Sequence, residues 1–150
     1  MIALEHVADL VVTVATPIEI GSTPAGLRRL IPITGGEARG PKLRGRVLPL
    51  GADFQTMRGD GVTELEARYA IETDDGALIY IRNNGLRHGP PEAMEKLRRG
   101  EAVDPKLIYF RTSPQFETGA KDYLWLHRYV FTAEGIRRTD YVELSIYQVL

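Results

Sequence analysis

The segment Leu65-Glu-Ala-Arg-Tyr-Ala-Ile71 leads through Glu72-Thr-Asp-Asp-Gly76 into Ala77-Leu-Ile-Tyr-Ile81, and this stretch decides the fold. Apolar and polar residues alternate on both sides of the turn, which is the pattern of β-strands that bury one face. The dipeptide Asp75-Gly76 supplies the positive φ values that a tight hairpin turn requires. We therefore predict an antiparallel β-hairpin over residues 65–81.

Strand-like segments of this kind recur along the chain, separated by Gly, Pro, Asn or Asp residues. The pattern predicts strands at 4–15, 18–21, 26–33, 42–49, 53–57, 64–73, 78–87, 106–110, 123–133 and 138–149. A second hairpin is predicted to join 124–133 to 138–149 across Glu134-Gly135, and Arg58-Gly-Asp60-Gly61 is predicted to separate two more strands. Strands therefore dominate the predicted secondary structure.

One short helix is predicted after residue 90. Pro90 and Pro91 can open it, and Gly100 can end it. Many strands with a single helix favour a barrel or a sandwich over a βαβ fold. Closure is favoured because long strands would otherwise leave exposed edges. With no internal repeat and no linker-like segment, residues 1–150 are predicted to form a single mainly β domain, an antiparallel closed or nearly closed β-barrel.

Composition and charge narrow the choice of partners and compartment. The 150 residues carry 19 Lys and Arg against 20 Asp and Glu, a formal net charge of −1, and the basic residues are scattered rather than clustered. Nucleic acid is therefore not an expected partner. No apolar run is long enough to span a bilayer, and the apolar stretch near Leu10 lacks the flanks of a signal peptide. We expect a cytoplasmic protein with no membrane partner.

Several kinds of chemistry lack the residues that they need. The chain has no cysteine, which removes disulfides, thiolate catalysis and iron–sulfur clusters. His6, His88 and His127 are not spaced as paired metal ligands. Gly35-Gly36 and Gly40-Pro41 lack the following Lys-Ser/Thr and helix of a phosphate loop, and the three serines lack a nucleophile elbow. We therefore expect no metal, no cofactor and no covalent acyl-enzyme.

Charged residues beside aromatic ones, inside predicted strands, are the candidates for a site. The arginines and the acid of this set are Arg68, Arg82, Arg111 and Glu117. On an antiparallel sheet with one solvated face, alternation would send such charges to solvent. Inside a barrel they would be tolerated in pairs, where partners and burial set their pKa values. His127 is predicted to share a strand face with Trp125 and with other aromatic residues, either as a core histidine or as an acid/base group.

Short motifs with a fixed order and spacing cover almost the whole chain. They are Gly35-Gly36, Gly40-Pro41, Leu43-x-Gly45-x-Val47-Leu48-Pro49, Gly51-Ala52-Asp53-Phe54, Arg58-x-Asp60-Gly61, Ala67-Arg68-Tyr69, Thr73-Asp74-Asp75-Gly76, Tyr109-Phe110-Arg111-Thr112 and Phe116-Glu117-Thr118. In these motifs the chain resembles uncharacterised protein family 0311, also called domain of unknown function 3237. The resemblance implies a β-barrel of about this size and no established general activity. The family often has Trp where this chain has Phe54, and Asn where it has His127.

The residues suggest three competing functions. The first is a cofactor-independent lyase, isomerase or hydratase acting on a small aromatic or carbonyl compound inside the barrel. In this hypothesis Glu117 or Asp53 is the general base and Tyr80 or His127 donates a proton, while Arg68, Arg82 and Arg111 hold negative charge and Trp125 and Phe54 form apolar walls. The second is a non-catalytic binding barrel for a small hydrophobic ligand. The third is a homo-oligomeric structural or interaction protein.

Overall fold

A computed structural model describes residues 1–150. Ten strands make up most of the fold: β1 (Leu4–Val14), β2 (Ile18–Thr23), β3 (Gly26–Arg39), β4 (Gly45–Val47), β5 (Ala52–Met57), β6 (Thr63–Thr73), β7 (Leu78–His88), β8 (Tyr109–Glu117), β9 (Phe131–Arg137) and β10 (Tyr141–Val149). One α-helix, α1 (Pro91–Arg98), and two 3₁₀ helices, Pro105–Leu107 and Lys121–His127, complete the chain. The prediction of a mainly β fold is confirmed.

The strands close into an antiparallel barrel. Eight of them follow one another around it in the order β1, β10, β9, β8, β7, β6, β4 and β3, and pairing of β1 with β3 closes the ring. β5 bridges β3 and β6 beside β4, and β2 adds to β3 outside the ring. Closure leaves few strand edges free to pair with other chains. The predicted closed barrel is therefore the observed architecture.

The hairpin quoted first is observed at the predicted position, with a positive φ at Gly76 but not at Asp75. β6 pairs with β7 from Thr63 opposite Arg87 to Glu72 opposite Leu78. The Thr73 amide donates a hydrogen bond to the Ala77 carbonyl at 2.8 Å, and Gly76 has φ +87°. A positive φ at this position is the reason that the turn uses glycine.

Two predicted strands differ from the structure in ways that affect the candidate site residues. The predicted strand 123–133 is instead a 3₁₀ helix, Lys121–His127, followed by β9. Within this helix Leu126 is buried and Leu124 is exposed, so spacing of three rather than two brings apolar residues together. Glu134-Gly135 consequently lies inside β9, and the turn to β10 follows Arg137. The predicted strand 106–110 likewise begins only at Tyr109, after a 3₁₀ turn, and runs on to Glu117.

The barrel interior differs between its two ends. At one end lie the start of β1, the end of β8 and the start of β9, where Phe116 meets Phe131 edge-to-face at a ring distance of 5.0 Å. Leu126 of the 3₁₀ helix is buried in the same apolar cluster. The opposite end holds the start of β8, the end of β9 and α1, and its interior carries polar side chains. No helix is both long and apolar enough to cross a membrane.

Candidate active site in the barrel

A cavity of about 50 Å³ lies inside the barrel near the α1 end. Aliphatic side chains of β1, β3 and β10 form one wall. The polar lining comes from β5 to β9 and consists of Asp53, Gln55, Tyr69, Asn83, Arg87, Thr112 and Arg137. A cavity needs about 10–15 Å³ to hold one water molecule, so this one admits a few water molecules or a small part of a ligand.

Asp53 is the only carboxylate that lines the cavity. It lies on β5 between Ile31 of β3 and Ala67 of β6, and strand alternation turns it inward with Gln55. One oxygen accepts a hydrogen bond from Gln55 Nε2 at 2.8 Å and the other from the Glu66 amide at 3.1 Å. Burial raises the pKa of Asp53, and the hydrogen bonds and nearby cations oppose this increase. Asp53 is therefore a carboxyl group that holds its proton more strongly than an exposed aspartate.

Arg87 and Arg137 face the same carboxylate from β7 and β9. Arg87 is only 7% exposed, and its guanidinium carbon lies 5.3 Å from the Phe110 ring centroid. Burial lowers the pKa of Arg87 to about 10, so the side chain remains a cation at neutral pH. Burial also lowers the pKa of Arg137. Both cations attract Asp53 through space without forming a direct ion pair with it.

Neutral polar groups complete the lining. The hydroxyls of Tyr69 and Thr112 and the side-chain oxygen of Asn83 are buried and have no hydrogen-bond partner in the protein. The same holds for Arg87 Nε and Arg137 Nη1. Burial, and then the charge of Asp53, raises the pKa of Tyr69, so its hydroxyl stays protonated as a donor. Nearly all buried polar groups in proteins are hydrogen-bonded, so five partnerless atoms around one cavity set this part of the barrel apart from the rest of its interior.

Of the nine site residues predicted from the sequence, only Asp53 lines the cavity. Arg68, Tyr80, Arg82 and Glu117 do lie near one another, but on the outer surface of β6, β7 and β8. Arg68 Nη1 lies 3.4 Å from the Tyr80 hydroxyl there. The expected inward orientation of these four residues is wrong, because the apolar residues between them occupy the inward positions.

The remaining four residues also lie away from the cavity. Arg111 is exposed on β8, 3.8 Å from Glu134, and Phe54 alternates away from Asp53. His127 lies at the opposite end of the barrel, where its Nε2 accepts a hydrogen bond from the Thr118 amide at 3.2 Å. Trp125 packs near it against the apolar core. His127 does not share a strand face with Trp125, because both belong to the 3₁₀ helix.

The polar lining other than Asp53 was missed, although the sequence carries a signal for it. On β7, Ile79 and Ile81 are fully buried, and residues at the same parity, Asn83 and Arg87, point inward with them. On β9, Phe131 and Ala133 set the parity of Arg137 in the same way. Extending each apolar alternation to the end of its strand would have identified these residues.

The donors near the cavity suit hydrogen bonding and proton transfer. Nowhere in the structure do three or more His, Asp or Glu side chains lie close enough together to hold a metal ion. The cavity combines one carboxyl group of raised pKa, two buried cations and four neutral hydrogen-bonding side chains. Such a set can take a proton from a substrate and stabilise negative charge on its oxygen atoms.

Fold and cavity together define a closed antiparallel barrel with a polar pocket toward one end. The chain belongs to the family described as Protein of unknown function (DUF3237), whose model matches residues 2–149. This membership confirms the resemblance seen in the sequence motifs.

Relatives of known structure share the whole fold. UPF0311 protein RPA1785 of Rhodopseudomonas palustris is 49% identical over 146 residues, which cover 97% of this chain and 95% of that protein. Its crystal structure matches with a TM-score of 0.94 and covers 100% of this chain and 98% of the other. A β-barrel-like protein from Acinetobacter baumannii matches at 41% identity, a TM-score of 0.87 and coverages of 100% and 97%. An enzyme from Penicillium herquei matches at 22% identity, a TM-score of 0.74 and coverages of 99% and 95%, which shows a common fold.

Proposed function

We propose that the protein is a cofactor-independent enzyme of the lyase, isomerase or hydratase type, acting on a small aromatic or carbonyl compound that enters the cavity. One observation carries the proposal: Asp53, a carboxyl group of raised pKa, faces a cavity lined by polar atoms that have no partner in the protein. Perturbed carboxyl groups in pockets are a recurrent feature of acid/base catalysts.

The proposed chemistry assigns a part to each group. Asp53 removes a proton from the substrate and a proton is then delivered to another substrate atom, so the carboxyl group returns to its starting state. Arg87 and Arg137 stabilise the negative charge that develops on a substrate oxygen, as preorganised charges do in other active sites. Tyr69 donates a hydrogen bond to the same region. In isomerisation the atom that receives the proton stays in the product, in elimination it belongs to the leaving group, and hydration is the reverse of elimination with water as the added molecule. None of the three reactions needs an electron acceptor.

Two further facts support an enzymatic role. The protein from Penicillium herquei with the same fold is described as an enzyme, so a barrel of this architecture is compatible with catalysis. Asp53 also forms no ion pair, although two buried arginines lie near it. A carboxylate retained for structure alone would be expected to pair with one of them directly.

A non-catalytic binding barrel is the second candidate. It is favoured by the two hydrogen bonds that Asp53 accepts, because both carboxylate oxygens already have a protein donor. In this case Asp53 is a fixed acceptor that orients Gln55, and the partnerless atoms bind a ligand without changing it.

Native mass spectrometry of the purified protein, searched for a retained small molecule, is the first experiment. Any molecule found, together with small carbonyl compounds, is then tested for turnover by NMR in D₂O, where proton transfer exchanges substrate hydrogen for deuterium. Asp53→Asn is expected to abolish turnover or exchange while the ligand still raises the melting temperature. Glu117→Gln is the matched control because it removes an exposed carboxylate on the outer surface.

The two variants separate the candidates. Turnover by Asp53→Asn at the wild-type rate would contradict the acid/base assignment. Ligand-induced stabilisation without turnover in either protein would favour the binding barrel. Loss of turnover in Glu117→Gln with retention in Asp53→Asn would place the chemistry on the outer surface instead.

A further inference from the structure

A cleft of about 640 Å³ lies beside the cavity at the α1 end. It is bounded by the connection between β1 and β2, by the C-terminal end of α1 and by the turn between β9 and β10. Val14 and Arg137 line both spaces, so the cleft adjoins the cavity at these two residues. We refer to this cleft as the mouth of the cavity.

Arg29 lies in the mouth and is almost completely buried, with 5% of its surface exposed. Its Nη1 donates a hydrogen bond to the carbonyl of Arg98, at the end of α1, at 3.3 Å. Its Nε has no hydrogen-bond partner, although it forms a salt bridge at 3.7 Å with Glu19, whose side chain is half exposed. A buried guanidinium donor without an acceptor costs folding free energy, and a bound acceptor would recover it.

Arg137 is the second cation of the mouth, and its Nη1 is also buried and without a partner. Burial and then the charge of Arg29 lower the pKa of Arg137, so the two guanidinium groups are close enough to repel. Asp53 and Asp140 oppose this repulsion, yet neither forms an ion pair with Arg137. Two like charges are therefore held near each other with free donors in one solvent-connected cleft.

Two further arginines line the mouth, and both have exposed side chains. Arg98 and Arg99 are exposed and pair with Glu95 at 3.7 and 3.5 Å, and Arg99 also pairs with Glu101. Their charges add to the positive potential of the cleft, but their side chains are exposed, so water can satisfy their donors. Arg29 and Arg137 are the ones that retain free, buried donors.

We propose that the ligand of the cavity is an anion whose oxyanion group, a carboxylate or a phosphate, is bound in the mouth between Arg29 and Arg137. The proposal rests on the proposed function in that the cavity receives a small molecule. The oxyanion accepts hydrogen bonds from the free donors of both guanidinium groups and relieves their repulsion. Because the mouth adjoins the cavity through Arg137, the rest of the ligand extends toward Asp53. Charged hydrogen bonds of this kind give binding and orientation together.

A neutral analogue of the ligand is then rejected. It leaves the partnerless donors of Arg29 and Arg137 without a negatively charged acceptor, and a site built around charged donors discriminates strongly against a ligand that lacks the matching acceptor. The mouth would thus determine which compounds reach Asp53, while Asp53 determines what happens to them.

The test uses the full chain with benzoate, its neutral counterpart benzamide and inorganic phosphate, at constant ionic strength. Binding is followed by the melting temperature and by the Nε–H NMR signals of Arg29 and Arg137. We expect benzoate to shift both signals and raise the melting temperature, and benzamide to do neither. Arg137→Gln should weaken benzoate binding by about ten- to a hundredfold, the range for hydrogen bonds to charged groups. A stronger response to phosphate than to benzoate would assign the phosphate class.

Arg138→Gln is the matched control, because Arg138 is the exposed neighbour of Arg137 and contacts Glu143 on the surface. It should bind benzoate like the wild type. Arg137→Lys, which keeps the charge, provides a second variant if the glutamine variant does not fold. Equal responses to benzoate and benzamide, or unchanged benzoate binding in both Arg137 variants, would overturn the proposal. Benzoate binding by a protein that shows no turnover would contradict only the acid/base role of Asp53, so a failure of that role is distinguishable from a failure of anion binding.

Discussion

The protonation state of Asp53 affects both its proposed acid/base role and the free energy of unfolding of the protein. Burial raises the pKa of this carboxyl group above its ordinary value of 3.8. Between pH 3.8 and the folded-state pKa, the folded protein therefore binds more protons at this site than the unfolded chain does. The contribution of Asp53 to stability is full below pH 3.8 and is lost as the pH rises through the folded-state pKa.

Asp53→Asn should consequently stabilise the protein at neutral pH but not in acid. The amide cannot ionise, so the variant avoids the cost of burying a charge, and Gln55 can reorient to keep its hydrogen bond. We expect a gain at pH 7 that vanishes toward pH 4. Urea denaturation of both proteins across this pH range measures the difference, and a difference that does not change with pH would contradict the raised pKa.

Asp53 could be predicted from the sequence as a cavity residue, but the other polar residues of the cavity could not, for a geometrical reason. Residue type alone favours charged residues beside aromatic ones, such as Arg68 and Glu117. Which face of a strand a residue occupies depends on register over the whole strand. Arg87 lies beyond Gly85 at the end of its strand, and only continuing the alternation of Ile79 and Ile81 shows that it points inward.

Among the elements, the pairing of β1 with β3 closes the barrel, and Gly36 is its tightest point. Gly36 lies opposite Val12 with φ +140°, and a Cβ built on it would stand 1.9 Å from the Val11 carbonyl oxygen. No side chain fits there without moving the backbone of β1. The predicted strand 26–33 ends before Gly36, since close approach between distant strands cannot be read from a local pattern.

Gly36→Ala should therefore destabilise the protein by about 2–4 kcal/mol, the range of a steric clash combined with backbone strain. Gly59→Ala is the control, because Gly59 has open space around its Cα and no positive φ. The free energy of unfolding of both variants, measured in urea, checks the expectation. A loss in Gly36→Ala no larger than in Gly59→Ala would show that this seam is not closely packed in solution.

Strands were predictable where the spacing of apolar residues and the turn-forming residues indicated the same structure, as in β6 and β7. The segment 123–133 was mispredicted because its apolar residues fit both a spacing of two and a helical spacing. Tyr123, Trp125 and Phe131 match a spacing of two, whereas the burial of Leu126 follows from helical winding against the core. Tertiary packing decides between such alternatives, and the local sequence does not contain it.

For the whole molecule, ring closure brings residues distant in sequence together. Leu4 pairs with Val149, and the Leu150 amide donates to the Ala3 carbonyl at 2.9 Å. Antiparallel closure was predictable from strand number and length, but the strand order was not, because β1 pairs with both β3 and β10.

A circular permutant that joins residue 150 to residue 1 through a short Gly/Ser linker and opens the chain between Gly59 and Asp60 should fold. The joined residues already lie near each other, and the new ends fall in an exposed turn, so no interior contact is lost. Circular dichroism and the melting temperature should match those of the parent. A permutant opened at Gly36 serves as the control, and equal stability of the two would contradict the role of the β1–β3 pairing.

The unequal ends of the barrel have a consequence for how such a protein changes under selection. Each partnerless buried polar atom near the α1 end costs folding free energy on the order of 1–3 kcal/mol, whereas the apolar end contributes only packing. Selection for heat resistance alone would replace Arg87, Asn83 and Thr112 by aliphatic residues first. Under the proposed function, retention of these three polar residues among related proteins would indicate that selection maintains ligand binding in the cavity, even where the ligand is unidentified.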